Sequence, residues 1–326
     1  MRAPLEYADD HLPGAISLPV LDDAERARVG TVYKQVAPFS ARKIGAALVS
    51  RNAARHLEGP LADKPGDWRP LLYCWRGGQR SGSFATILSQ IGWRVETIAG
   101  GYKAWRRLVV QELLTAPTQI TVLDGNTGSA KTELLAMLAQ RGVQIIDLER
   151  LANHRGLLFG ARGDQPSQRM FEGRLAHALA ALDPAQPVVI EAESSKVGQC
   201  RLPPILWKAM CAAPRIELTV PRGERARYLA RSYDDIAADP ARLAQTIDRL
   251  RPWHAATVIE AWQAMAASQS FAPLADALMA AHYDPRYARH RARNDRPRRE
   301  LALDGLDDAS LAAAADRLAE MIRSER

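Results

Sequence analysis

The chain has 326 residues, 47% hydrophobic and 25% charged, the balance of a water-soluble globular protein long enough for two domains. No apolar run reaches the roughly eighteen residues that a bilayer span needs, and Met1 to Asp10 has no signal-peptide apolar region, so no membrane span is expected, and the sparse cysteines point to a reducing cytoplasm. Cys74, Cys200 and Cys211 are the only cysteines, too few for a disulfide framework and wrongly spaced for zinc, so no metal centre is expected. A net charge of +7 and a pI of about 9.5 suit a polyanionic partner such as nucleic acid.

In chain order, residues 22–56 read as charged-apolar helix, and Pro60 to Pro70 as a loop. A strand is predicted over Arg69 to Cys74, then a glycine-bearing loop, a helix from Gln79 to Ile91 and a strand from Trp93 to Ile98. The Gly100-Gly101-Tyr102 turn follows, and a helix starts at Lys103. Ala116-Pro117-Thr118 marks the boundary between domains 1–116 and 117–326. The second domain opens with a strand, Ile120 to Leu123, a glycine-rich loop and a helix. Further strands are predicted at Val143 to Ile146, Val188 to Ile190 and Ile216 to Val220, with helices between them. Beyond Pro221 the sequence is rich in Ala and Arg with helical spacing, ending in a helix from Ala309 to Arg323. The fold class is α/β, with two parallel-sheet layers in series and a helical, Arg-rich C-terminal region.

Cys74 ends the apolar run Leu71-Leu72-Tyr73 and is followed by Trp75-Arg76-Gly77-Gly78-Gln79-Arg80-Ser81. A helix N-terminus and the guanidinium groups of Arg76 and Arg80 both favour thiolate over thiol. The backbone N–H groups of such a turn also hold an oxyanion. Cys74 is therefore a candidate nucleophile with an anionic partner, and Arg76 and Arg80 are candidate catalytic residues beside it.

Asp124-Gly-Asn-Thr-Gly-Ser-Ala-Lys-Thr132 follows a strand and opens a helix, the context of a phosphate-binding P-loop. Gly125, Thr127, Gly128, Ser129, Lys131 and Thr132 are its candidate phosphate ligands, with the Thr132 hydroxyl placed to face an ion such as Mg2+. Ala130 stands where the pattern has its second glycine. Glu191 and Glu193 follow the strand Val188 to Ile190, and Asp147, Glu149, His154 and Arg155 follow another strand. Ligands gather at the carboxyl ends of strands in open α/β sheets, so these six are candidate acids and anion contacts; solvated strand-end acids and a helix-surface histidine are the other readings. From Arg286 to Arg299, seven of fourteen residues are arginine. Arg289, Arg291, Arg293 and Arg296 are candidate RNA contacts, against the alternative of a solvated stretch.

Taken together these residues resemble the tRNA 2-selenouridine synthase family, a rhodanese domain followed by a P-loop domain. The resemblance covers nearly the whole chain. It rests on Arg2 to Glu6, Gly14 to Pro19, Glu25 to Gln35, Cys74 to Ser81, Gly100 to Trp105, the P-loop, Asp147 to Glu149, His154 to Gly156, Phe159-Gly160, Glu191 to Ser194 and Tyr283 to Tyr287. It implies an enzyme that replaces the sulfur of wobble-position 2-thiouridine in tRNA with selenium from selenophosphate, and that geranylates the same sulfur from geranyl diphosphate. It implies that Cys74 serves selenium transfer, that the P-loop holds a diphosphate, and that a selenophosphate-producing enzyme supplies the donor. Relatives open with a strand ending in an Asp-Val-Arg type of motif, whereas here Met1 stands directly before Arg2. The first domain is thus expected to lack its opening strand, through a start site set downstream or an impaired copy. From Cys74 to Arg80 the spacing is C-x5-R, one residue longer than in many rhodaneses and shared with cysteine-dependent phosphatases. A phosphatase, a rhodanese-type sulfurtransferase and a non-catalytic tRNA-binding module are the competing readings.

Overall fold

The computed structural model describes residues 1–155, 163–232, 239–291 and 298–324, with all their side chains except those of 290 and 291. The chain divides into two compact units. One comprises Met1–Leu114 together with Pro166–His177; the other comprises Thr115–Gln165 and Ala178–Arg326.

The first unit contains α1 (Pro4–Asp9), α2 (Asp23–Gln35), α3 (Pro38–Glu58), β1 (Leu71–Leu72), α4 (Gln79–Ile91), β2 (Glu96–Thr97) and α5 (Gly101–Glu112). Its helices start where local chemistry starts them. Asp22 accepts from Glu25 N at 2.7 Å while Glu25 Oε2 accepts from Asp22 N at 3.0 Å, a reciprocal cap for α2. Pro38 opens α3, where its missing N–H costs nothing. Strands β1 and β2 pair in parallel, Leu71 with Glu96 and Leu72 with Thr97. Both are shorter than the predicted Arg69–Cys74 and Trp93–Ile98. Pro70 has no N–H to give to a ladder, and beyond Tyr73 the carbonyls turn to a helix instead: Cys74 O accepts from Tyr102 N at 2.9 Å and Trp75 O from Lys103 N at 3.1 Å. Phe84 and Leu88 of α4 bury completely against Leu61, Leu72, Val49 and Trp93. This core holds the Cys74 loop in place from behind.

The second unit is built around a five-stranded, all-parallel sheet in the order β4-β5-β3-β8-β9. Its elements are β3 (Ile120–Gly125), α6 (Lys131–Gln140), β4 (Gln144–Ile146), α7 (Leu148–Leu151), α8 (Gln168–Ala180), which begins in the first unit, and β5 (Val188–Glu191). A small hairpin follows, β6 (Lys196–Val197) and β7 (Cys200–Arg201), then α9 (Pro204–Ala212), β8 (Arg215–Thr219) and α10 (Arg222–Ser232). The remainder is α11 (Pro240–Asp248), α12 (Ala256–Ala267), α13 (Phe271–Leu278), a π-helical turn (Met279–Tyr283), α14 (Asp284–Arg291), β9 (Arg298–Ala302) and α15 (Asp308–Arg323). Central β3 is buried at every residue, as a strand between two parallel neighbours must be. Its last carboxylate, Asp124, is buried and paired with buried Arg215 of β8 at 3.0 Å, and its Oδ1 accepts from Gly125 N at 2.7 Å. Leu134, Leu135 and Leu138 of α6 pack with Leu311, Ala315 and Leu318 of α15 against the sheet.

The helical reading of everything beyond Pro221 is corrected at β9. Arg298–Ala302 extends the sheet beside β8, Arg215 to Thr219 lying opposite Arg298 to Ala302 in register. Its arginines hide it in the sequence, yet Leu301 and Leu303 are buried and two apart, the period of a strand. Charged residues on such an outer strand discourage edge-to-edge pairing. Among the described residues no helix is long and apolar enough to cross a membrane.

Candidate functional site

Cys74 leaves β1 and enters a loop that ends at the N-terminus of α4. The residue is 4% exposed, and its Sγ accepts a hydrogen bond from Ser81 Oγ at 3.3 Å. Burial pushes the thiol up, but hydrogen bonds from the Ser81 hydroxyl and from the N–H groups of Ser81, Arg76 and Gly78 outweigh it. The net result is a thiol held below its ordinary value. The two arginines enter differently from the sequence expectation. Arg76 contributes its backbone N–H, while its side chain is exposed. Arg80 is drawn into a 2.7 Å ion pair with Glu6, whose other task is to accept from Ala3 N at 3.0 Å. Ser81 and Glu6 are thus parts of the site that charge-based reasoning passed over; Ser81, seven residues after the cysteine and in the first turn of the helix, was the legible signal.

The Gly100-Gly101-Tyr102 motif is what closes this loop. A Cβ on Gly101 would stand 2.4 Å from Cys74 O and 2.5 Å from Gly77 N, and one on Gly77 would stand 2.7 Å from Ile98 O. Gly101 and Gly77 also have φ of +58° and +68°, so shape and backbone both require glycine there.

In the second unit, β3 runs into Gly125–Ala130 and then α6. Ala130 has φ 56° and ψ 27°, a left-handed conformation in which an alanine is strained by about 1–2 kcal/mol. Its methyl is buried in the core under α6, which offsets part of that cost. The substituted glycine position therefore keeps the loop's backbone path. Gly128, at φ +82°, lies so close to α10 that a Cβ would meet Leu229 Cγ at 2.9 Å and Arg225 O at 3.0 Å. Ser129 Oγ donates to Asn126 O at 2.7 Å. Lys131 Nζ donates to Gly125 O at 2.8 Å. Thr127 Oγ1 is buried without a hydrogen-bond partner, an orphan that a phosphate oxygen would satisfy.

The loop borders a cleft of about 120 Å³ lined by Thr127 to Thr132, Glu149, Arg155, Glu193, Tyr228, Leu229, Ser232 and Tyr287. Three of the predicted acids converge there. Thr132 Oγ1 donates to Glu149 Oε2 at 2.9 Å and lies 3.4 Å from Glu191 Oε2, and Glu149 N donates to Glu191 Oε1 at 2.9 Å. Burial raises all three, with the charge of Asp147 adding to it at Glu149 and the charge of Glu149 adding to it at Glu191 and Glu193; Glu191 rises well above its usual range, and Glu193, opposed by Lys131, rises to about 8. Asp147 instead caps α7, accepting from Arg150 N at 2.7 Å. Arg155 lines the cleft, whereas His154 is half-buried, and burial lowers its affinity for a proton. Among the described residues, no group of three or more His, Cys, Asp or Glu side chains is arranged to hold a metal ion by itself.

Buried Arg225 was not anticipated. Its Nε donates to Val220 O at 3.2 Å, one terminal nitrogen to Thr127 O at 3.0 Å, and both terminal nitrogens grip Asp284 at 3.0 and 2.8 Å. This explains the Tyr283-Asp-Pro-Arg-Tyr287 motif. Asp284 ties that segment to the P-loop, and Tyr287 places its ring 5.9 Å from Lys131 Nζ. The described arginines of the tract, by contrast, divide between α14 and β9. Arg286 bonds His282 Nε2 at 2.8 Å and stacks over Trp253, and Arg298 and Arg299 belong to β9. Arg289 is exposed with its Nε on Pro285 O, the backbone of Arg291 ends α14, and Arg293 and Arg296 lie outside the described residues, as do Gly156, Phe159 and Gly160.

Two outcomes follow from this geometry. Ser81→Ala removes one donor to the Cys74 sulfur, so the pH midpoint of Cys74 alkylation, followed by peptide mass, moves upward from that of the wild type. Glu193 has a folded value of about 8 against 4.5 for the free side chain, so the folded state binds the extra proton across that window. The stability of the second unit therefore falls as pH rises from about 4.5 to about 8. Melting curves across the window decline less steeply for Glu193→Gln.

Comparison with known proteins agrees with this architecture. The family model for the tRNA 2-selenouridine synthase AAA domain matches residues 118–255, and that for a rhodanese-like domain matches residues 1–108. The chain is similar to the tRNA 2-selenouridine synthase of Aeromonas salmonicida, with 40% identity over 72% of this chain and 63% of that protein. It is 36% identical to the one from Hahella chejuensis, over 71% of this chain and 62% of that protein. For the Nitrosomonas europaea protein the identity is 35%, over 79% of this chain and 68% of that protein. The matched part of the chain thus spans a little over three-fifths of the first two of these relatives (63% and 62%) and 68% of the third. With a rhodanese-like unit preceding a P-loop unit on a parallel sheet, the chain belongs to the tRNA 2-selenouridine synthase family.

Proposed function

We propose that this protein is a tRNA-modifying transferase that replaces the sulfur of wobble-position 2-thiouridine with selenium. The observation that carries the reading is the pair of anion sites on one chain: a thiol held below its ordinary value within a ring of N–H donors, and a P-loop cleft with an orphaned threonine hydroxyl. A thiocarbonyl sulfur is a poor leaving group. Attack of that sulfur on geranyl diphosphate forms a carbon–sulfur bond and releases diphosphate. Selenophosphate then adds at C2 through selenium, geranylthiol leaves with the proton, and water cleaves the selenium–phosphorus bond to give 2-selenouridine and phosphate. In this reading the P-loop holds the diphosphate, and the Cys74 loop, with Arg76 and Arg80, handles the selenium donor.

Mg2+ usually rests on one or two carboxylates plus phosphate oxygens and water. Thr132 Oγ1 and Glu149 fit such an ion, which would offset phosphate charge. Arg289, Arg291, Arg293 and Arg296 are proposed to meet RNA phosphates. Supply of the donor calls for a selenophosphate-producing enzyme, and the cytoplasm, where three free thiols persist, is the proposed location.

The test incubates the protein with 2-thiouridine tRNA, selenophosphate and geranyl diphosphate and analyses the nucleosides by mass. Selenouridine is expected with wild type and absent with Cys74→Ala; normal product from Cys74→Ala overturns the role of that residue. Lys131→Ala is expected to weaken geranyl diphosphate binding by about tenfold or more, as loss of a charged hydrogen bond implies. Turnover of para-nitrophenyl phosphate with no tRNA product favours the phosphatase reading.

A further inference from the structure

The residue after Cys74 is held with unusual care for a side chain that is not part of the core. Trp75 is half-buried. Its ring stacks on that of Tyr102, with centroids 5.1 Å apart and planes 26° from parallel. The guanidinium of Arg2 lies 3.8 Å from the Tyr102 ring centroid and 5.3 Å from that of Trp75. Arg2 and Tyr102 are both buried, and both are fixed by Asp10: Arg2 donates to its carbonyl, and the Tyr102 hydroxyl to its Oδ2 at 2.7 Å. Burial, then the Asp10 hydrogen bond and charge, push the Tyr102 hydroxyl up to about 12, so it remains a donor. Burying a guanidinium and a carboxylate costs several kcal/mol each before pairing. Here that cost is met at a rim position one residue from the nucleophile.

The surroundings of Trp75 are cationic. Arg76 follows it in the loop, Lys103 N donates to its carbonyl at 3.1 Å, and Arg107 stands one helical turn beyond Lys103 on the same face of α5. The side chains of Arg76, Lys103 and Arg107 are exposed, and none is in an ion pair among the described residues. Their neighbour Arg106 is instead engaged by Glu172. An aromatic ring on a loop whose next residue and facing helix carry exposed cations is the chemistry that binds single-stranded nucleic acid, the ring taking a base and the cations its phosphates. Loops of RNA, unlike duplexes, can present an unstacked base to such a face.

We infer that Trp75 is the stacking platform for the target pyrimidine of an RNA loop, and that Lys103 and Arg107 hold the flanking phosphates. This rests on the selenium-transfer reading for the identity of the base, and it places an RNA surface on the first unit. Trp75 contacts substrate without taking part in bond-making; Arg2, Tyr102 and Asp10 act through it as positioning residues.

The experiment measures binding of a fluorescein-labelled anticodon stem-loop containing 2-thiouridine to the full chain. Stacking is worth about 1–3 kcal/mol per base, so Trp75→Leu, which keeps apolar bulk but loses the π face, is expected to weaken binding by about tenfold or more. Trp75→Phe is expected to stay within about threefold of wild type. Lys103→Gln with Arg107→Gln should reduce the salt dependence of binding by about one to two charges. An unchanged pH profile of Cys74 alkylation in each variant shows that the loop has kept its shape. Equal affinity of wild type and Trp75→Leu, or no binding by wild type, overturns the inference. If wild type binds the stem-loop through Trp75 but yields no selenouridine in the nucleoside assay, the surface stands and the transfer reading fails.

Discussion

A strand that stops and a helix that starts a few residues later leave backbone N–H groups aimed at one point, with no carbonyl to receive them. Both candidate sites are answers to that constraint. In the first unit the acceptor is a sulfur atom supplied by the chain, and everything nearby adapts to keep the N–H groups on it. The loop is so tight that Gly77 and Gly101 admit no side chain. In the second unit the loop is partly closed on itself through Ser129 and Lys131, leaving Thr127 Oγ1 unmet. The same geometry thus serves a resident nucleophile in one place and an incoming anion in the other.

The shape of the P-loop is not set by its own residues alone. Arg225 bonds four fixed oxygen acceptors, two of them on Asp284. A guanidinium held by oxygens from three separate segments behaves as a rigid bracket. It joins the end of β8, the P-loop and the start of α14, so the helical region is mechanically part of the phosphate site. Across the cleft the acids behave as a group. Glu149, Glu191 and Glu193 are each raised above the usual carboxylate range, so the group takes up protons more readily than three free carboxylates would.

Much of this was legible in the sequence, for identifiable reasons. Cys74 and the P-loop announce themselves through short-range patterns whose geometry is local. The helix at Gln79–Ile91 and the strands at Ile120 and Val188 follow from apolar periodicity and loop punctuation. What escaped was relational. Ser81 acts by reaching back to a sulfur, Arg80 is captured by Glu6 from far along the chain, and Arg225 matters because Asp284 lies against it. Strand β9 was hidden because its charges are exposed and its single buried leucine, Leu301, is outnumbered. Ala130 looked like damage by pattern, yet its backbone angle is the one a glycine would have adopted.

The first unit is discontinuous: Pro166–His177 belongs with Met1–Leu114, and Glu172 and Arg169 contribute ion pairs to Arg106 and Asp9. A ribosome making this chain therefore releases the Cys74 loop long before the unit that carries it can be finished. Residues 115–165, including β3 and the P-loop, emerge in between. Domains usually fold as they leave the ribosome, N-terminal first. Here the order is interleaved, so synthesis of the phosphate site begins before the thiol site has its last helix.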